Sequence, residues 1–290
     1  MHITKFKDLD SKDKTIKLSD GRNLGYHEYG SHDGKPLFFF HGWPSSRYHG
    51  SAIDKVAREL NIRVVSVDRP GHGLSDYQDR RRLLDWPEDV IELANKLRIN
   101  KFSVLGVSGG GPYSAVCAYK IPERISKAGI VVGLAPTYIP GNLNGMGFAA
   151  KLGWMSYPLN SVFRYLGAWS HYFIAKYFPS LLQFGFGTKR DRQVINAIPG
   201  GYAREALEPF RNGIEGSAKD LDLYVHDWAF DLSDIKKKIY LWYGEKDVNV
   251  PLAMGKYYAK NLPSSQLHLY ANEGHLILRL HAKEIIKDLV

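Results

Sequence analysis

An α/β fold is what this sequence predicts: a mostly parallel twisted sheet with helices on both faces and a helical segment inserted into it. Three observations carry the prediction. Short apolar runs of strand length alternate with stretches of helical spacing, the pattern of βαβ units. That alternation stops near Ala135-Pro136 and resumes at Lys238. The stretch between, 137 to 232, has helical patterns and no clear strand run. At 290 residues, 44 % hydrophobic and 24 % charged, the chain also matches globular averages of about 45–50 % and 25 %, so disordered and fibrous classes drop out.

The elements follow in order. Thr15 to Leu18 and Leu24 to Tyr29 flank the turn signal Asp20-Gly21, so the N-terminal region reads as a hairpin. Pro36 to Phe40 is a short apolar strand ending in His41-Gly42, and Ile53 to Leu60 is helical in pattern. Ile62 to Val67 is the next strand, Val90 to Leu97 the next helix, and Phe102 to Val107 a strand ending in glycine and serine. Tyr113 to Tyr119 reads as helix and Ile125 to Val132 as strand. After the insertion come strand Lys238 to Tyr243, helix Ala253 to Leu262, strand Gln266 to Tyr270 and a last helix from about Leu276 to Val290. The division is thus a core of 1–136 and 233–290 and a helical insertion of 137–232, with helices at Val162 to Phe178 and Tyr202 to Ile214. The insertion holds 18 of the 37 aromatic residues.

Composition narrows the partners. A single cysteine, Cys117, permits no intramolecular disulfide, so a reducing, cytoplasmic setting is expected. The balance of 39 Lys and Arg against 30 Asp and Glu gives +9. The densest basic runs, Arg80 to Arg82 and Lys236 to Lys238, have acids beside them, so they read as solvated faces. No apolar run approaches the ~20 residues that span a bilayer, and Met1 to Lys17 has no apolar core of a secretory signal. A small-molecule substrate is expected, with no nucleic acid and no membrane; oligomeric state is left open.

Gly106-Val107-Ser108-Gly109-Gly110 fits G-x-S-x-G. In a chain with 28 glycines the pattern needs context, and it has it, between a predicted strand and a predicted helix. A sharp turn there presents the serine, the glycines remove side chains that would collide, and the helix N-terminus favours developing negative charge. A serine hydroxyl needs a base, and the base an acid to orient it. His275 follows one later strand and Asp247 another, with Glu245 a rival acid on the same loop. The strand end Gly133 to Pro136 offers no carboxylate. Oxyanion donors are expected from the N–H groups of Gly109 and Trp43, the latter in the loop His41-Gly42-Trp43-Pro44.

These residues carry a resemblance. Asp20 to Arg22, His41 to Arg47, Asp68 to Ser75, Gly106 to Pro112, Gly244 to Pro251 and Glu273 to His275 stand in the order of the α/β-hydrolase superfamily, which the chain resembles over nearly its whole length, and it is similar to the capped bacterial members. The resemblance implies the α/β-hydrolase fold and a Ser108, Asp247, His275 triad that needs no cofactor. The His-Gly-aromatic-Pro block is also similar to that of epoxide hydrolases and dehalogenases, whose nucleophile is aspartate; Ser108 argues against both chemistries.

Other candidates read as structure. His41, His72 and Ser75 suit loop hydrogen bonding, and Cys117 suits a helix core. No metal-ligand spacing occurs among the 11 histidines. Tyr165, Trp169, Tyr172, Phe173 and Tyr177 recur at helical spacing, which predicts a seam between insertion and core. Trp228 and Phe230 are the expected substrate-lining residues. The expected activity is a serine carboxylesterase on small or medium apolar esters. One alternative is the same triad applied to a C–C bond, an amide or iminopeptide, or a cofactor-free lyase reaction, with Glu205, Glu208 and Glu215 available to grip an amine. The other is a non-catalytic binding protein on a hydrolase scaffold.

Overall fold

The Asp20-Gly21 turn closes a true hairpin. In the computed structural model, which describes residues 12–185, 187–198 and 203–290, β1 (Asp13–Lys17) pairs antiparallel with β2 (Asn23–Gly30). The first eleven residues and Tyr202, where sequence expectations also fell, lie outside the described residues. The alternating segments then supply β3 (Lys35–Phe40), β4 (Ile62–Val67), β5 (Phe102–Val107), β6 (Ile125–Val131), β7 (Ile239–Gly244) and β8 (Ser265–Tyr270). They form one eight-stranded sheet in the order β1-β2-β4-β3-β5-β6-β7-β8, antiparallel at β1-β2-β4 and parallel from β4 to β8.

Strand periodicity explains the layers. Successive side chains point to opposite faces, and both faces of these strands are apolar, as expected for a covered parallel sheet. Phe38, Phe40 and Val104 pack with α2 (Trp86–Lys96), α3 (Gly111–Lys120) and α9 (Leu252–Asn261). Leu37, Phe39 and Leu105 pack on the other face with α1 (Asp54–Glu59) and α10 (Ile277–Leu289). The helix expected from Ile53 begins instead as a 3-10 segment at Arg47, and only Asp54–Glu59 is α-helical.

Between β6 and β7 the described residues contain no strand. They form α4 (Phe148–Ser156), α5 (Ser161–Tyr177), α6 (Lys189–Asn196), α7 (Ala203–Leu207) and α8 (Glu215–Val225). The expected aromatic seam is not where α5 packs. Trp169, Tyr165 and Tyr177 are exposed, whereas Gly167, Ala168, His171 and Ala175 make the inner face. Small side chains allow close approach of α5 to α8, so the bulky ones are turned away from the core.

Two buried ion clusters bind this segment to the sheet. Asp220 of α8 meets Arg69 and Arg81, and accepts from Tyr113 at 2.7 Å. Arg47 Nη1 donates to Asp68 at 2.9 Å and to Glu208 at 2.8 Å. All of these side chains are buried, so each charge depends on its partners.

Candidate active site

Parallel pairing brings the C-terminal ends of β3, β5, β7 and β8 to one edge, where α/β sheets place their ligands. β5 runs into a tight turn with Ser108 at its tip, at φ +53°. For a serine that left-handed backbone costs roughly 1–2 kcal/mol and is held by its surroundings. A Cβ on Gly106 would lie 2.1 Å from the Gly110 carbonyl oxygen, and one on Gly110 2.1 Å from that of Phe40. Only glycine lets the turn fold back against β5 and β3.

His275 follows β8, with Nε2 3.1 Å from Ser108 Oγ and Nδ1 2.7 Å from Asp247 Oδ2. The other Asp247 oxygen accepts the N–H groups of Asn249 at 2.8 Å and Val250 at 3.0 Å, which fixes the carboxylate. Asp247 is buried while Glu245 is exposed on the same loop, so the acid His275 meets is Asp247. Burial pulls the His275 pKa down, but the charge and hydrogen bond of Asp247 and the charge of Asp191 outweigh it, and the net shift is upward from 6.5. An imidazolium is therefore well supported here.

Trp43 and Gly109 are also brought together. A Cβ on Gly109 would sit 3.1 Å from Trp43 N and 2.8 Å from Trp43 Cβ, so the loop after β3 lies directly on the residue following Ser108. His41 is fully buried beneath that loop. Its Nδ1 donates to the Gly42 carbonyl at 2.8 Å and its Nε2 accepts the Arg69 N–H at 3.2 Å. Burial, then the charge of Arg69, hold its pKa well below the ordinary value, so it is neutral and serves the loop.

Sequence reasoning missed two groups. Asp191, on α6, accepts the backbone N–H of His275 at 3.1 Å and that of Leu276 at 2.9 Å. Thr188 Oγ1 donates to it at 2.7 Å. A Cβ on Gly274 would lie 1.9 Å from Asp191 Oδ2, so the loop carrying His275 is seated directly on this carboxylate. The spacing Thr188-x-x-Asp191 signals a helix start; nothing in it signals the loop 84 residues away. Tyr224, on α8, is the second, donating to the Gly109 carbonyl at 2.8 Å and so tying the inserted helices to the turn.

Above Ser108 and His275 is a cavity of about 460 Å³, within the usual range of small-molecule sites. Trp154 of α4, Tyr157 just beyond it, and His171 and Ile174 of α5 cover it, and the Glu205–Arg279 ion pair stands in its wall. Trp228 and Phe230 do not line it. They stack on each other at 5.9 Å between centroids, with Trp228 against Tyr258 and Phe230 against Tyr119, where they fill the join between the returning chain and α3 and α9. The expectation that they touch substrate is corrected on that ground.

A family model described as alpha/beta hydrolase fold matches residues 35–282. The chain is similar to a non-heme chloroperoxidase of Streptomyces lividans, 33 % identical over 140 residues that span 48 % of this chain and 51 % of that protein. It is similar over nearly its full length to the bifunctional esterase/perhydrolase DCH of Acinetobacter calcoaceticus, 26 % identical and covering 95 % of this chain and 97 % of that one. Its fold matches the enol-lactonase from Burkholderia xenovorans with a TM-score of 0.71 at 16 % identity, covering 95 % of this chain and 97 % of that chain. With a matching model that runs from β3 into α10, this chain belongs to the alpha/beta hydrolase family.

Proposed function

We propose that this hydrolase is a carboxylesterase acting on small or medium, mainly apolar esters through a Ser108, His275, Asp247 triad. The observation that carries the reading is the chain of hydrogen bonds from Ser108 Oγ to His275 to Asp247 beneath a cavity of about 460 Å³. In this reading residues 137–232 are a helical cap on a core of 1–136 and 233–290, and the cavity lies between the two.

Ser108 Oγ attacks the ester carbonyl as His275 Nε2 takes its proton. Asp247 holds the imidazole in the tautomer with Nδ1 protonated and stabilises the imidazolium. The oxyanion accepts from the N–H groups of Trp43 and Gly109, aided by the N-terminus of the helix that follows. His275 protonates the departing alkoxide, leaving an acyl ester on Ser108. It then takes a proton from water, which attacks that ester and releases the acid.

Of the three acids available to bind an amine, Glu208 is committed to Arg47 and Arg211, and Glu215 is exposed away from the cavity. Glu205 lines the cavity but is neutralised by Arg279 at 2.9 Å. This disfavours an aminopeptidase. Ser108→Ala should lower nitrophenyl ester turnover by about 10⁴-fold or more and abolish fluorophosphonate labelling. Retained turnover in that variant overturns the triad, and ligand binding by an unlabelled wild type would favour a binding protein.

A further inference from the structure

Of the sixteen large apolar side chains that are exposed among the described residues, thirteen lie between 148 and 184; the others are Tyr77, Tyr138 and Leu269. They are ordered. Phe148, Leu152 and Met155 fall on one face of α4, and Val162, Leu166, Trp169 and Tyr177 on one face of α5, at helical spacing. The opposite faces line the cavity or the core, so both helices present their bulky apolar side outward. The usual arrangement for a surface helix is the reverse.

Charge is segregated on the same stretch. From Thr137 to Arg190 there is no Asp or Glu, where an even spread of the chain's 30 acids would place about five or six. Five basic residues occur there. Among the described residues Lys151, Lys176 and Lys189 form no ion pair, and Lys176 lies instead over the rings of Tyr172 and Tyr177 at 5.2 and 5.3 Å. Its ammonium donates to the Tyr172 hydroxyl at 2.8 Å, so the charge sits among aromatic side chains with no carboxylate beside it.

We propose that this face docks on an anionic lipid bilayer, with the outward sides of α4 and α5 in the headgroup boundary and the lysines on acidic headgroups. A second copy of the chain fits poorly, because two identical faces without acids would set lysine against lysine. The expectation of no membrane partner rested on spanning length. Among the described residues no helix is long and apolar enough to cross, and lying on the surface requires no such helix. The cavity reaches solvent through the same stretch of chain: its four exposed lining residues, Ala149, Ala150, Leu181 and Gly185, all fall between 148 and 185. Resting on the esterase reading, apolar esters dissolved in the bilayer would be the substrates reached.

The test is flotation of the full chain with phosphatidylcholine vesicles, with and without about 30 % phosphatidylglycerol. Anionic vesicles should bind at least about tenfold more protein than neutral ones, and about 0.5 M salt should weaken binding. Leu166→Ser with Trp169→Ser, and Lys151→Glu with Lys176→Glu, should each reduce binding about tenfold and leave turnover of a soluble ester unchanged. Lys236→Glu with Lys237→Glu makes the same charge change at the opposite edge of the sheet, and should bind as wild type. The proposal is overturned if neither vesicle binds, if the control pair loses binding equally, or if the apolar pair instead dissolves a dimer seen by light scattering without vesicles. Binding is read without turnover, so an inactive protein that floats would sink the esterase reading and leave this one standing.

Discussion

Asp191 is where a helix of the inserted segment reaches the histidine, and Asp191→Asn isolates its effect. The carboxylate accepts two backbone N–H groups, from His275 and Leu276. Hydrogen bonds to a charged group are worth about 1.5–3 kcal/mol each. Asparagine keeps one acceptor oxygen and turns an NH₂ toward the other N–H, so one bond is lost and the second loses its charge. Summed, that is about 2–4 kcal/mol, shared between global stability and the position of His275. Urea denaturation should show a stability loss of about 1–3 kcal/mol, the rest appearing as loop displacement. A misplacement near 1 Å costs roughly 10²-fold in rate, so kcat/KM on a soluble ester should fall about 10- to 100-fold.

A pH profile separates positioning from mere destabilisation. Asp191's negative charge is one of the influences raising the His275 pKa, against the downward pull of burial. Removing it lowers that pKa, so the acid limb of kcat/KM should move to lower pH even as the plateau drops. The Asp191→Ala variant should move the limb the same way with a larger loss of stability. An Asp191→Asn enzyme with wild-type rate and an unmoved acid limb would refute the reasoning, because the carboxylate would then neither hold nor polarise the loop.

Further outcomes follow from the same geometry. In the proposed mechanism His275 must be neutral to accept the serine proton, so wild-type kcat/KM should fall as pH drops through an apparent pKa above 6.5. Stability has the opposite sign: with the folded pKa raised, the contribution of His275 is full below 6.5 and is lost as pH rises through the folded value. The difference in urea midpoint between wild type and His275→Gln should therefore narrow on going from acid to alkaline pH. Trp228→Ala should cost about 3–5 kcal/mol, the range for a buried aromatic, and leave relative rates across ester chain lengths unchanged; altered rate ratios would return it to the cavity wall. Asp220→Ala leaves Arg69 and Arg81 buried without their carboxylate and should cost about 3–5 kcal/mol by denaturation. A loss below about 1 kcal/mol would mean that water reaches those guanidiniums.

The features legible in the sequence are those written in neighbouring residues. β5 is readable because a short, mostly apolar run, Phe102 to Val107, ends in a glycine-serine turn, and the geometry at Ser108 is set by glycines two positions to either side. Asp247 and His275 were readable because each follows a strand whose end lies on the same edge as that turn. Asp191 and Asp220 were not, since their meaning lies in partners 84 and 151 residues distant, and a lone aspartate in a helix is ordinarily a solvated one. The fold had to bring Gly274 and Arg69 to them before either had a role.

The aromatic helix α5 shows a different kind of limit. Helical spacing identifies that one face is apolar; it carries no information about what that face meets. Tyr165, Trp169 and Tyr177 satisfy the period and predict a seam, yet what packs inward is Gly167, Ala168, His171 and Ala175. Close approach of two helices favours the face with the least side-chain volume, because backbones can then near one another and exclude water. Bulk on the remaining face stays exposed unless another surface covers it. The absence of acids from Thr137 to Arg190 was equally present in the sequence. It gains meaning only with the bulky face pointing outward, because lysines without a carboxylate partner on a stretch of exposed apolar side chains specify the chemistry of a covering surface, and lysines beside a buried seam would not.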